Sequence, residues 1–217
     1  MKAVKIIFLF SLLMTTTQAQ ALLYLNSYGG INAGSIEGFA EKTGGNTLTH
    51  DGWLIGAGVG GRVGLSFLIL RAGVVGEYAK VQLEGEREDV DRVSAFDGDE
   101  DYDNVITRNL YGAFVGVSLP ALPLTVFAEY YPTVEGKVTY AEGRSENIFA
   151  DGDKLNGSGF GAGLGFEAAI FSTHFMVRNI TYDEFTLSGT KTELPNGTYD
   201  KMETWEVSLQ IGVAIDL

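Results

Sequence analysis

The sequence predicts an all-β protein, an eight-stranded antiparallel up-and-down barrel that crosses a membrane. Two observations carry this prediction. In segment after segment, apolar residues alternate with period two, and the connections between segments are alternately short and long. Successive side chains of a strand point to opposite faces of the sheet, so each segment has one apolar and one small or polar face. The second face is rich in glycine, which suits the narrow lumen of an eight-stranded barrel.

The composition excludes several other classes of protein. Of the 217 residues, 45% are hydrophobic, which is too many for a disordered chain. Cysteine is absent, which excludes a disulfide framework, thiolate chemistry and a cysteine-based metal site. Lys and Arg total 15 against 28 Asp and Glu, a net charge of -13. This balance argues against nucleic acid as a partner, because its binders place Lys and Arg against phosphate. No cofactor is expected.

Residues 1–21 have the pattern of a secretory signal peptide. Lys2 and Lys5 precede a short apolar run, and Ala19-Gln20-Ala21 fits the small-x-small cleavage pattern. The apolar run is too short for a spanning helix, which needs about 20 residues. We therefore expect an exported protein whose mature part, residues 22–217, is a single barrel domain.

The first four strands are predicted between residues 22 and 119. A strand covers about 22–35, but its residues do not show which face is apolar. The next three strands, at 53–65, 70–80 and 110–119, each have an apolar face opposite a face of glycines and a few charges.

The last four strands are predicted at 124–135, 158–170, 173–182 and 205–217. The final one is the clearest, since every second residue from Trp205 to Leu217 is apolar. The short connections lie near 66–69, 120–123 and 171–173. The long, polar ones lie near 36–52, 81–108, 136–157 and 183–203.

Six aromatic residues lie on the apolar faces, where the strands adjoin the long connections. They are Trp53, Tyr78, Tyr111, Tyr130, Phe160 and Trp205. Aromatic side chains are expected at the two interfaces of a transmembrane barrel. A soluble barrel would instead expose its glycine-rich faces to water, where glycine weakens a strand. The pattern therefore favours a membrane barrel with these six residues as its aromatic girdle.

In strand number, signal peptide, alternating connections and final strand, the chain resembles the small eight-stranded outer-membrane barrels. Examples are the transmembrane domain of outer membrane protein A and the outer membrane protein X group. The resemblance implies short periplasmic turns, long extracellular loops and a place in the outer membrane of a Gram-negative bacterium. It also implies assembly by the barrel assembly machinery and contact with outer-membrane lipid and lipopolysaccharide. The chain departs from the family in ending on Leu217 rather than Phe or Trp, and we do not expect the periplasmic domain that follows some of these barrels.

Seven charged residues have the parity of the lumen face. They are Arg62, Arg71, Glu77, Glu129, Glu167, Arg178 and Glu206. A charge within a spanning segment is costly unless it is paired. A symmetric hairpin about 172–173 would set Glu167 opposite Arg178, and Arg62 would face Arg71, with Glu167 as a candidate carboxylate between the arginines. This network is either the gate of a small pore or a structural polar core. The second interpretation is favoured, since related barrels are mostly plugged.

An acidic stretch between residues 84 and 104 contains carboxylates at alternate positions. They are Asp97, Asp99, Asp101 and Asp103. Hard cations bind such oxygen ligands, so a calcium or magnesium site that helps dock the loop on lipid phosphates is one hypothesis. A solvated acidic loop is the favoured alternative. The G-x-G-x-x-G at 56–61 lies within a strand and lacks the helix that a dinucleotide site needs.

The only histidines are His50 and His174. A lipid A-modifying enzyme would need a histidine near a serine, and Ser35 is the closest serine upstream of His50. No serine has a motif-like setting. The expected function is therefore a non-enzymatic outer-membrane barrel with a plugged polar lumen and acidic loops, which serve envelope integrity, adhesion or an unknown extracellular partner. A narrow, porin-like gated pore is the alternative, and a lipid A-modifying enzyme is less favoured.

Overall fold

A computed structural model describes residues 22–43, 46–89, 100–119, 122–141 and 149–217. These residues form nine strands: β1 (Leu22–Thr43), β2 (Asn46–Phe67), β3 (Leu70–Asp89), β4 (Glu100–Ser118), β5 (Leu124–Ala141), β6 (Lys154–Ala168), β7 (Phe171–Leu187), β8 (Thr190–Glu193) and β9 (Met202–Asp216). Within these ranges no helix is long and apolar enough to cross a membrane. The proposed signal peptide, residues 1–21, lies outside the described residues.

Eight of these strands close into one antiparallel barrel. Each strand from β1 to β7 pairs with the next, and β9 pairs with both β7 and β1. The short strand β8 pairs only with β7 and stands outside the ring. The predicted eight-stranded up-and-down barrel is therefore confirmed. Closure pairs the backbone groups of every wall strand, which a membrane-spanning sheet requires.

The strands extend much farther from the short turns than the sequence patterns indicated. β1 continues to Thr43 instead of ending near residue 35, and β3 continues to Asp89 instead of residue 80. The predicted strand bounds were wrong at this end, because the long polar connections are largely strand.

The polarity of the barrel wall inverts along its length. On β3 the outward face passes from Val74 and Tyr78 to Lys80, while the inward face passes from Glu77 to Val81. The inward faces of β5, β7 and β9 change in the same direction: Glu129 to Val138, Arg178 to Phe185, and Glu206 to Met202. We call the wall between the short turns and this change the membrane part, and the wall beyond it the outer part.

The outer part has the core of a soluble barrel. Its inward apolar side chains are buried, among them Phe39, Val81, Leu83, Ile106, Val134, Val138, Phe149, Leu155, Phe185 and Met202. The Phe185 ring lies 5.7 Å from that of Phe39 and 5.3 Å from that of Phe149. Because the outer wall beyond the membrane faces water, apolar side chains are stable only inside it. The buried ion pairs of the lumen thus lie within the membrane part, beside apolar Phe114, Phe127 and Met176, and the lumen above them is mainly apolar.

Candidate functional site

The interior of the membrane part is the candidate functional site, because it gathers buried charges from all sides of the barrel. The structure places each of the seven sequence-predicted charges there. Those near the short turns, Arg71 and Glu167, are partly accessible, and the other five are buried. β1 contributes inward Tyr24, Asn26 and Tyr28, which resolves the face that its sequence left open.

The layer nearest the short turns is held by Arg71. Its guanidinium pairs with Glu167 and, at 3.0 Å, with Asp216. It lies over the Tyr24 ring, 4.5 Å from the ring centroid, and the Tyr24 hydroxyl donates to Glu167 at 3.0 Å. One arginine from β3 thereby ties together β1, β6 and β9 at the base of the barrel.

The next layer is centred on Arg62, which is completely buried. Its Nε donates to Glu129 at 2.6 Å, and its Nη2 donates to the Gln210 side-chain oxygen at 2.9 Å. Its Nη1 donates to Asn26 at 3.1 Å and also lies 3.1 Å from His174 Nδ1. The guanidinium therefore crosses the lumen and contacts four side chains from four other strands.

Arg178 and Glu77 form the third layer. Arg178 Nη1 and Nη2 donate to the two Glu77 carboxylate oxygens at 2.8 and 2.7 Å, a bidentate pair. The Tyr28 hydroxyl also donates to Glu77, at 3.1 Å. This tyrosine has room because Gly60 faces it: a Cβ at Gly60 would lie 2.7 Å from its hydroxyl oxygen.

Sequence reasoning missed the fourth layer, which Arg108 forms with Glu206. Arg108 Nη2 donates to Glu206 at 2.7 Å, Nη1 also contacts that carboxylate, and the Thr204 hydroxyl donates to it at 3.2 Å. Arg108 fell in the segment predicted to be the loop 81–108. It shares parity with inward Leu110 and Phe114, so extending the β4 alternation toward the N-terminus would have found it.

The predicted pairing of Glu167 with Arg178 is wrong. The turn lies at Ala169 and Ile170, where Ala169 has a φ of 54°, so Glu167 is opposite Ser172. Arg178 lies six residues farther along β7 and pairs with Glu77 across the lumen. The prediction failed because apolar Ile170 continued the alternation and was counted as strand. A turn displaced by three residues moves the cross-strand partner by six.

The predicted opposition of Arg62 and Arg71 is also wrong. Arg62 is the cross-strand partner of Val75, and Arg71 that of Ser66. Each arginine has a different carboxylate, Glu129 for Arg62 and Glu167 for Arg71.

The six aromatic residues proposed as a girdle all lie on the outside of the barrel and are 40–59% exposed. They do not mark the strand ends, since every strand continues beyond its aromatic residue. Trp53 is opposite Glu84, six residues beyond Tyr78 on β3, so the six do not share one level. Phe160 and Trp205 are in edge-to-face contact, with ring centroids 6.2 Å apart.

The proposed cation site falls mostly outside the described part of the chain. Asp97 and Asp99 lie outside it, as does the side chain of Asp101. Asp103, on β4, accepts a long hydrogen bond from Gln82 at 3.5 Å. Among the described residues no group of three or more His, Asp or Glu side chains is arranged to hold a metal ion.

The two histidines are buried in different regions, and neither meets Ser35. His50 lies in the outer part, where its ring is 5.1 Å from that of Phe39. His174 lies in the Arg62 layer. Ser35 is on the outward face of β1, between Trp53 and Trp205 of the neighbouring strands. The structure therefore does not bring Ser35 together with either histidine.

No family model and no curated protein matches this sequence. Among solved structures, the outer membrane protein OprG from Pseudomonas aeruginosa is 10% identical, with 91% of this chain and 98% of that chain covered and a TM-score of 0.56. Ail of Yersinia pestis, in complex with the heparin analogue sucrose octasulfate, is 14% identical over 90% and 100%, with a TM-score of 0.46. The translocator domain of autotransporter NalP from Neisseria meningitidis is 13% identical over 100% and 96%, with a TM-score of 0.28. The OprG comparison has a TM-score above 0.5 and joins the closed ring of eight strands as evidence of architecture. The chain therefore has the fold of the eight-stranded outer-membrane β-barrels.

Proposed function

We propose that this chain acts in the outer membrane of a Gram-negative bacterium as a closed, non-enzymatic barrel. The observation that carries the proposal is the filling of the lumen along the described length of the wall. Four layers of ion pairs cross the membrane part, centred on Arg71, Arg62, Arg178 and Arg108. An apolar core then occupies the outer part. A water-filled path would have to break both, because the interior of an eight-stranded barrel is just wide enough for side chains to fill or for one small ligand.

The outer part suggests what such a barrel does. Its own core supports strands well beyond the membrane, so their outer ends, with Glu84 on β3 and Asp103 on β4, lie away from the bilayer. We propose that these acidic ends serve envelope integrity or contact an extracellular partner. Lipid and lipopolysaccharide are the proposed surroundings of the membrane part, and the barrel assembly machinery the proposed route to the folded state.

Conductance across a planar lipid bilayer tests the closed lumen. We expect the purified, folded protein to give no conductance above baseline. Arg178→Gln removes a lumen pair, and Lys191→Gln, which changes an exposed cation outside the lumen, is the matched control. Discrete openings of the wild-type protein that Arg178→Gln alters and Lys191→Gln leaves unchanged would instead favour the gated pore.

Two cellular measurements test the rest of the proposal. A strain that lacks the protein should show an unchanged lipid A mass spectrum, because Ser35 faces outward while His50 and His174 are buried inside the barrel. The same strain should be more sensitive to detergent, or should lose binding to host surfaces. An altered lipid A spectrum would overturn the non-enzymatic assignment.

A further inference from the structure

Four lysines lie in one cross-strand row on the outside of the barrel. From β3 to β8, consecutive cross-strand partners are Lys80, Thr107, Lys137, Lys154, Thr186 and Lys191. The four lysines are exposed, and the two threonines between them are half-buried. We call Lys80, Lys137, Lys154 and Lys191 the lysine row.

Most of this charge is not neutralised by the wall itself. Lys191 pairs with Glu184 at 2.6 Å, but Lys80, Lys137 and Lys154 form no ion pair within 4 Å in the described parts of the chain. Lys137 and Lys154 are direct cross-strand partners, about 5 Å apart at the backbone. Like charges placed directly opposite each other destabilise a sheet, so an anion at this position would relieve a cost that the wall otherwise bears.

The row is also unusual for this chain, which has a net charge of -13. The four arginines with described side chains, Arg62, Arg71, Arg108 and Arg178, all point into the lumen. Of the remaining lysines after residue 21, Lys42 pairs with Asp200 at 3.5 Å. The row therefore holds four of the six lysines that follow residue 21, on strands from β3 to β8.

The height of the row indicates what kind of anion fits it. Lys80 is two residues beyond Tyr78 on β3, whereas Lys154 is six residues beyond Phe160 on β6. At about 3.3 Å per residue and a strand tilt of about 40°, these separations are about 5 Å and about 15 Å above the aromatic residues. The register shows that the row climbs away from the membrane part, because cross-strand partners followed once round the ring from Tyr24 of β1 lead back to Gly34, ten residues farther along the same strand.

We propose that the lysine row binds the phosphorylated saccharide head group of lipopolysaccharide in the outer leaflet. An ammonium group is a compact charge with three donors, which suits scattered phosphates, and the hydroxyls of Thr107 and Thr186 lie between the ammonium groups. A head group with phosphates in a single plane would reach Lys80 alone, whereas a phosphorylated saccharide that rises from the bilayer follows the climb. This inference rests on the proposed location in the outer membrane.

The test measures lipopolysaccharide binding to the folded barrel in detergent at low salt. The row variant is Lys137→Gln with Lys154→Gln. The control variant, Lys42→Gln with Lys201→Gln, makes the same charge change elsewhere. A lysine near an anionic membrane surface contributes roughly a fivefold change in affinity. We therefore expect the row variant to bind about 25-fold more weakly than the wild type, and the control to bind like the wild type. Dephosphorylated lipopolysaccharide should bind the wild type as weakly as the row variant binds the intact lipid.

Two outcomes would overturn the inference. One is equal lipopolysaccharide binding by the row and control variants. The other is selective loss of binding to a soluble sulfated polysaccharide, heparin, with lipopolysaccharide binding unchanged. Fractionation of cell membranes distinguishes a wrong assignment of the lysine row from a wrong proposed function. If the protein is folded in the outer membrane but the row variant binds normally, only the lysine row is wrongly assigned. If it is absent from the outer membrane, the proposed function itself is wrong.

Discussion

Breaking the bidentate pair between Glu77 and Arg178 should cost more than any exposed pair and should show strong coupling. Both side chains are buried, and their two hydrogen bonds are 2.8 and 2.7 Å long. Removing one partner of a buried pair leaves the other charge uncompensated, at a cost of about 3–5 kcal/mol. In Glu77→Gln the cost should lie at the lower end, because Glu129 lies 4.0 Å from the freed guanidinium.

In Arg178→Gln the cost should lie at the upper end. Glu77 then keeps the hydrogen bonds from Tyr28 at 3.1 Å and Gln210 at 3.4 Å but loses its only cation within 4 Å among the described residues. The two single changes would then sum to about 8 kcal/mol. The double variant restores charge balance, so its loss should fall short of that sum by about 2–3 kcal/mol.

Urea unfolding of the refolded barrel in lipid vesicles, followed by tryptophan emission, measures all four corners of this cycle. Glu184→Gln is the matched control, because Glu184 has an exposed partner, Lys191, and should leave the unfolding midpoint near that of the wild type. Losses that simply add in the Glu77 and Arg178 double variant would refute the proposed contact between them.

Four further outcomes follow from the same geometry. Val59→Arg should lower the free energy of assembly by about 2–4 kcal/mol relative to Val59→Leu, because Val59 faces the membrane, and equal assembly would place it elsewhere. Phe185→Ala should cost about 3–5 kcal/mol in thermal or urea unfolding, because it opens a cavity between two aromatic rings, and yet should leave membrane insertion intact. Glu167→Gln and Arg178→Gln should be nearly additive, since these residues do not pair, and coupling as large as that of Glu77 with Arg178 would restore the symmetric hairpin. Unboiled protein should resist SDS and migrate differently from the boiled protein, because a closed barrel has no free edge.

The architecture was predictable because the alternation of apolar and polar residues along a strand is visible in the sequence without any knowledge of the tertiary structure. Period two in the membrane part gave the number of strands, their order and the outward face of all but the first. The sequence of β1 did not show which face is outward, because neither face is uniform. The outward face includes small Ser27 and Gly29, and the inward face includes the large aromatic residues Tyr24 and Tyr28. Only its pairing with β2 and β9 decides which side is inside.

The outer part was not predicted because apolar residues were expected on the outward face everywhere, as in the membrane part. The stretch from Lys80 to Glu84 still alternates, but its apolar residues, Val81 and Leu83, have the inward parity. When this change of parity is taken as the end of the apolar outward face, the stretch after it resembles a loop. When it is taken as an inversion of the two faces, it marks the level at which lipid gives way to water. The second interpretation would have extended the neighbouring strand and predicted Arg108 in the lumen.

The ion pairs were beyond sequence reasoning because register depends on the turn. Two-residue turns with a positive φ at Leu68 and Ala169 set the hairpins, and neither residue is the glycine or asparagine that usually signals such a turn. Pairs such as Arg62 with Glu129 span the lumen between strands that are not neighbours. A local sequence pattern does not show which residues of two distant strands meet in this way.

The inversion of polarity also fixes how deep the barrel sits. Sinking would carry Lys80 toward the hydrocarbon, and rising would lift Val74 into water. A lysine on the lipid face costs about 0–1 kcal/mol near the interface and about 2–4 kcal/mol at the bilayer midplane, which opposes sinking. The transfer of apolar side chains such as Val74 from lipid to water opposes rising. The residues of the wall therefore determine by themselves how deeply the barrel lies in the membrane. The connections beyond the outer part are therefore not needed to set this depth. Their sequences can diverge under selection at the cell surface while the barrel keeps its position in the membrane.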